Sequence, residues 1–263
     1  MNNLHLYCFT LEKILSLSEK KRVEKNIIEF SNLFRKKIKC NFKKKEILDV
    51  EDLNKFLIYL EKYNKVYLWN FQQLLAFIPT IKEIQLNELI IKNISNVLGI
   101  NENHILIQDP LILINLPSTK RNLYSWHNAK NYYQKRNNYI GMWIPLIRDK
   151  TANNGTMSIL KKSHKYDYPF LEYQENPSSS HQNEIPNKYI TNFKKANLKL
   201  KFGDVFGMDK NLIHSSTLNK TKMFSMVLVF KYWDISKDLT LSSNITQQYF
   251  KGDQCSGKDV DAI

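Results

Sequence analysis

Two of the six histidines sit at places where a side chain could do chemistry: His127 within Ser125-Trp126-His127-Asn128-Ala129, and His214 within Leu212-Ile213-His214-Ser215-Ser216. The first stands ahead of the apolar run Gly141-Met142-Trp143-Ile144-Pro145-Leu146, the second ahead of the last long apolar run of the chain. Neutral imidazole is a versatile transition-metal ligand. Two such rings, each at the rim of a strand and far apart in sequence, can meet only if the sheet folds back on itself. His164 in Lys161-Lys162-Ser163-His164-Lys165 reads as the buttress of a turn, His181 as a solvated residue of a Ser-rich stretch, and His5 and His104 have no evident partner. Asp204, after Gly203, reads as part of a tight turn.

The elements that must position the two histidines follow from periodicity. From about Thr10 to Ile38, Leu11, Ile14, Leu15, Leu17, Val23, Ile27, Ile28, Phe30, Leu33 and Phe34 recur at helical spacing, which predicts one or two amphipathic helices. Val50-Glu51-Asp52-Leu53 opens another, continued by Phe56, Leu57, Leu60 and Tyr63, and a third pattern runs from Gln85 to Val97. Beyond Asn101 the pattern turns to short β-branched runs: 104–107, 111–114, 139–146, 156–160, 197–202 and 226–232. Turn-forming pieces such as Thr151-Ala152-Asn153-Asn154-Gly155 and Gly203-Asp204 separate them. The pattern predicts an α+β fold, a β-sandwich or barrel half under a helical N-terminal layer; a double-stranded β-helix of jelly-roll or cupin-like type is the form of it that would bring the two histidines together. One structural domain is expected, divided into a mainly helical layer over 1–100, a strand-rich core over 101–240 with a polar insertion over 167–190 that could serve as a lid, and a tail over 241–263.

Composition narrows the partners. Lys and Arg number 39 against 25 Asp and Glu, for a net charge of +14. The densest basic runs, Lys20-Lys21-Arg22, Arg35-Lys36-Lys37 and Lys43-Lys44-Lys45, come without a nucleic-acid motif and read as solvated helical surface, so nucleic acid is disfavoured as a partner. The excess could still attract small anionic substrates. No window of about 18 uninterrupted apolar residues and no secretory leader is evident, so a cytoplasmic setting without membrane contact is expected. Cys8, Cys40 and Cys255 form no CxxC pair and sit in no nucleophile elbow. Phosphate-binding glycine loops, GxSxG and HExxH are all missing.

Taken in order, Asn115-Leu116-Pro117, Trp126-His127, Trp143-Ile144-Pro145-Leu146, Asn154-Gly155-Thr156-Met157, Ser163-His164-Lys165, Gly203-Asp204-Val205 and His214-Ser215-Ser216 with Asn219 resemble the phytanoyl-CoA dioxygenase family of Fe(II)- and 2-oxoglutarate-dependent oxygenases. The resemblance spans roughly residues 100 to 235. It implies Fe(II) held by His127 and His214, a 2-oxoglutarate pocket including Trp143 and Ser216, and hydroxylation of a small-molecule substrate with release of succinate and CO2. Two family positions differ. The carboxylate of the family's His-x-Asp/Glu is Ala129 here, and where an Arg follows the distal histidine this chain has Met223, Phe224 and Ser225. Lys222 is the expected substitute cation, with Lys231 and Lys120 behind it.

Three readings stay open on the sequence. The first is an active oxygenase with a rearranged ligand set, Asn128 or Glu184 being candidate third ligands. The second is the halogenase variation, in which Ala replaces the carboxylate so that halide can reach iron. The third is a pseudoenzyme keeping the fold as a binding module. An unpaired buried carboxylate is costly, so a missing Arg bears directly on 2-oxoglutarate binding.

Overall fold

The computed structural model describes residues 8–38, 40–120, 122–132, 138–166, 168 and 184–236. His5, His181, Cys255, most of the 167–190 insertion and the 241–263 tail lie outside them.

Helices dominate the first hundred residues, and their ends carry the expected signals. Helix α1 (Leu17–Lys37) starts at a capping box in which Ser16 accepts from the Glu19 amide while the Glu19 side chain accepts from the Ser16 amide, and ends in Arg35, Lys36 and Lys37. Asp49, Asn64 and Asn87 cap α2 (Val50–Tyr63), α3 (Lys65–Leu75) and α5 (Glu88–Leu98), while Pro79 opens α4 (Pro79–Gln85). Each such cap is worth roughly 1 kcal/mol.

One sequence expectation fails here. Residues 10–16 do not continue α1 towards the N-terminus: Phe9–Leu11 form strand β1 instead. The apolar residues Leu11, Ile14 and Leu15 fit the helical period, but Ser16 with Glu19 is the stronger start signal.

Strands β2 (Ile105–Ile107), β3 (Leu111–Asn115), β4 (Tyr139–Leu146), β5 (Met157–Leu160), β6 (Lys195–Asn197), β7 (Val205–Asp209), β8 (His214–Ser216) and β9 (Ser225–Asp234) follow, with a short helix α6 (Asn187–Ile190) between β5 and β6. All pairings are antiparallel. The larger sheet runs β1-β7-β4-β9-β2, with β3 pairing the other half of β9; the smaller is β6-β5-β8. Among the described residues no closed barrel forms, and the arrangement is a jelly-roll with a helical layer. The strand expected over 197–202 is displaced to 195–197, while Leu200 forms an isolated bridge with Lys150.

Alternation along β9 sorts its side chains between two cores. Met226, Leu228, Phe230 and Tyr232 pack with the helices, among them Phe34, Phe56 and Phe71, whose rings stack edge-on. Val227 joins Trp143, Met157, Leu200, Phe206 and Leu212 in a second cluster shared by the two sheets. Polar clasps fix the helical layer on the sheet: Gln72 Nε2 donates to the Ile112 carbonyl at 2.8 Å, and Asn54 donates to the Lys222 carbonyl while accepting from the Phe224 amide. Phe9 from β1 lays its ring over Gly207, where a Cβ would stand 2.2 Å from the ring, so only glycine leaves room.

Candidate metal centre

His127 and His214 meet. The two residues form an isolated antiparallel bridge in which each amide donates to the other's carbonyl at 2.9 Å. Paired this way, their side chains project from the same face, and the ring centroids lie 4.2 Å apart with planes inclined at 54°. The segment holding His127 runs alongside β8: the Ser216 amide donates to the Tyr124 carbonyl, and the Ile185 amide to the Trp126 carbonyl.

Each ring is oriented by the carbonyl two residues before it. His127 Nδ1 lies 2.7 Å from the Ser125 carbonyl, and His214 Nδ1 lies 2.9 Å from that of Leu212. A carbonyl only accepts, so each Nδ1 carries the proton and Nε2 carries the lone pair of the neutral ring. This is how metal-ligating imidazoles are commonly held. Burial keeps both rings neutral. It lowers the pKa of His127 and brings that of His214 down to about 3, with the neighbouring His127 and then Lys231 adding to the second effect. Metal binding at neutral pH therefore displaces no proton from either ring. The donor set fits a metal that accepts two imidazoles.

The third protein ligand is another matter. Among the described residues no further His, Cys, Asp or Glu gathers with the pair into a cluster of three. Glu184, a candidate on sequence, is not brought into such a cluster; it sits one residue from Ile185, half-exposed. Asn128 is fully buried next to His127. Ala129 begins a 3-10 turn and packs beside Tyr139 and Trp233, whose rings lie 4.3 Å apart.

The remaining sequence candidates divide. Trp143, on β4, is buried in the cluster between the sheets, and Ser216 is half-buried at the end of β8, opposite Met157. Lys222 is exposed, on a turn held to α2 by Asn54, so its side chain is not among the residues between the sheets. Lys120 is exposed as well, while Lys231 is half-buried and close enough to act on His214. His164 lies in a 3-10 turn, and Asp204 closes its own turn by accepting from the Lys201 amide while also accepting from the Lys13 amide of the N-terminal segment.

One residue escaped the sequence reading. Lys150 is wholly buried, its Nζ 2.7 Å from Ser225 Oγ, 3.0 Å from the Gly155 carbonyl and 5.5 Å from the centre of the Trp143 ring. Nothing local in the sequence marks it, since Arg148-Asp149-Lys150 reads as a solvated turn.

Comparison with known proteins adds to this geometry. The profile of the family described as phytanoyl-CoA dioxygenase (PhyH) matches residues 89–225, just over half of the chain. No curated protein sequence matches it. Among solved structures, the epimerase SnoN in complex with Fe3+, alpha ketoglutarate and nogalamycin RO is similar with a TM-score of 0.55 at 12% identity, covering 88% of this chain and 80% of that one. The apo form of the non-heme monooxygenase ThoJ gives 0.55 at 15% identity, covering 89% and 78%. EvdO2 from Micromonospora carbonacea var. aurantiaca, complexed with 2-oxoglutarate, gives 0.46 at 16% identity over 61% of this chain, which spans 62% of that protein. At such identities the likeness is one of fold.

Proposed function

The chain belongs to the phytanoyl-CoA dioxygenase family, and on that premise we propose that it is an Fe(II)- and 2-oxoglutarate-dependent oxygenase that hydroxylates a small anionic metabolite. The observation that carries this reading is the pair of neutral imidazoles, His127 and His214, locked with both Nδ1 atoms on backbone carbonyls. Fe(II) with 2-oxoglutarate supplies the oxidising power for C–H hydroxylation from O2, with succinate and CO2 as coproducts.

This chain's own residues do the rest. Nε2 of His127 and of His214 would hold the metal, since the carbonyls of Ser125 and Leu212 keep those atoms unprotonated. Trp143 and Ser216 would flank 2-oxoglutarate, with the apolar cluster of Met157, Phe206 and Leu212 keeping water from it. With Ala129 at the family's carboxylate position, the metal would have to take water or an anion in place of that protein ligand. The net charge of +14 favours an anionic substrate.

A second reading, a binding module without turnover, is favoured by one observation: no third acidic, histidine or cysteine ligand gathers with the pair among the described residues. Anaerobic titration of the metal-free protein with Fe(II) and then 2-oxoglutarate separates the two. A visible charge-transfer band that disappears in His127→Ala and His214→Ala is the expected result, followed by succinate formation in air. Absence of the band in metal-replete protein would sink the oxygenase reading in favour of the module.

A further inference from the structure

Lys150 occupies a place that its sequence context does not explain. After β4 the chain turns at Ile147, with φ of 66°, and returns so that the Lys150 backbone pairs with Leu200 in both directions. The side chain is thereby drawn inwards and left with no exposed surface. Its ammonium has three N–H donors, of which two meet neutral acceptors: Ser225 Oγ at 2.7 Å and the Gly155 carbonyl at 3.0 Å. No carboxylate lies within ion-pair distance of it among the described residues, and its charged neighbour is Arg148, of the same sign. A buried ammonium without a counter-charge is a costly thing to keep.

A purely structural role does not account for it. The Gly155 carbonyl also accepts from Asn115 Nδ2 at 2.8 Å, and the Ser225 hydroxyl donates to the Asn154 carbonyl. Both groups therefore keep a partner if Lys150 is removed. The charge itself is the part without a use in the protein alone. Its position supplies one. Ser225 is the last residue of the window in which the family carries its Arg, and Trp143, whose ring lies under the ammonium, borders the cluster that includes Leu212 and Met157, next to His214 and Ser216.

Resting on the oxygenase reading above, we propose that Lys150 is the cosubstrate anchor, its ammonium pairing with the far carboxylate of 2-oxoglutarate in place of the Arg that residues 223–225 lack. The cation reaches the same spot from a different part of the chain, the turn after β4 rather than the start of β9. The third N–H is the donor available to the incoming anion, and Ser225 and Gly155 hold the ammonium in position for it. Burial and then Arg148 bring the pKa of Lys150 down to about 7, so its charged form lacks a counter-ion that a bound carboxylate would supply.

The test compares two 2-oxo acids on Fe(II)-loaded protein under anaerobic conditions: 2-oxoglutarate, and pyruvate, which lacks the far carboxylate. Affinity is read from the charge-transfer band and, independently of any turnover, from the shift in thermal midpoint. Wild-type protein is expected to prefer 2-oxoglutarate by about 100-fold, the scale of a desolvated charge pair. In Lys150→Met that preference is expected to collapse, with Fe(II) binding kept and pyruvate affinity within about twofold. Lys150→Gln, which retains hydrogen bonding to Ser225, is the second variant should the first not fold, and it is expected to lose the preference equally. Wild-type affinity for the two acids that is equal, or a preference that survives in both variants or vanishes in Lys222→Met alone, would overturn the anchor and leave the oxygenase reading intact. Failure of wild-type protein to bind either acid overturns the oxygenase reading, and the anchor with it.

Discussion

His127 and His214 are tied to each other through their backbones as well as facing each other through their rings, each amide donating to the other's carbonyl at 2.9 Å. The bridge does not depend on the imidazoles. Replacing either ring with Ala is therefore expected to lower Fe(II) affinity by more than about 100-fold while keeping a cooperative unfolding transition. Metal titration alongside urea denaturation checks both halves. Retained affinity in either variant would remove that histidine from the site.

Ala129 tests the missing ligand. If the position next to the histidine pair is open to solvent or an anion, Ala129→Asp supplies the absent carboxylate and should tighten Fe(II) binding by about tenfold. An unchanged affinity would place residue 129 away from the metal, and its packing beside Trp233 would then be its whole role.

Ser225 gives a result opposite to what the sequence alone suggests. Restoring the family's Arg there looks like a gain of function on paper. In the fold, Ser225 is fully buried against the Lys150 ammonium, so Ser225→Arg forces a second cation and extra volume into one space. A loss of about 3–5 kcal/mol in urea denaturation is expected. Adding Lys150→Ser to that variant should recover part of the loss. If Ser225→Arg is as stable as the wild type, the crowding inferred here is mistaken.

Cosubstrate affinity should depend on pH through the same lysine. Burial and Arg148 bring Lys150 down to about 7 from its ordinary 10.5, and only the ammonium pairs with a carboxylate. Arg148 is the charged group acting on it; Ser225, Gly155 and Trp143 complete its surroundings and do not titrate in this range. Below pH 7 the protein is ready to bind, and affinity is flat. Above it, binding must first return a proton, and 2-oxoglutarate affinity falls by up to about tenfold per pH unit. Lys150→Met should abolish the slope between pH 6.5 and 8.5. A wild-type profile that is flat across that range would show that the ammonium takes no part.

Asn54 couples the helical layer to the strand that carries Ser225. Its side chain accepts from the Phe224 amide at 2.8 Å and donates to the Lys222 carbonyl at 3.2 Å. Asn54→Leu leaves that buried amide without its partner and is expected to cost about 1–3 kcal/mol in chemical denaturation. A change under about 0.5 kcal/mol would mean the strand entry is held by other contacts.

The legible parts of this sequence were those where one physical rule dominates. Val50–Tyr63 follows the helical period without interruption, and Tyr139–Leu146 is a bare apolar run, so both boundaries can be read directly. His127 and His214 could be singled out because each fits a motif position. Residues 9–16 could not, because their apolar spacing suits a helix while Ser16 and Glu19 fix its start further on. The cation was the hardest. Lys222 lies nearer the family's Arg in sequence, but Asn54 holds its turn against α2 with the side chain outside, whereas Lys150 arrives through a left-handed turn at Ile147 that has no sequence signature. Proximity along the chain was a poor guide to which charge lies inside.

The pairing of β1 with β7 reaches across almost the whole described chain, with Phe9 opposite Gly207 and Leu11 opposite Val205. Residues 9–11 thus form a sheet edge whose partner is made about 200 residues later. During synthesis the helices can form and pack locally, but this edge stays open until β7 has emerged, and loop closure over such a distance is slow. The interval is one in which unpaired strands are exposed to neighbouring chains. Closure of this edge therefore waits for β7 to emerge, and chaperone supply is expected to influence yield on overexpression.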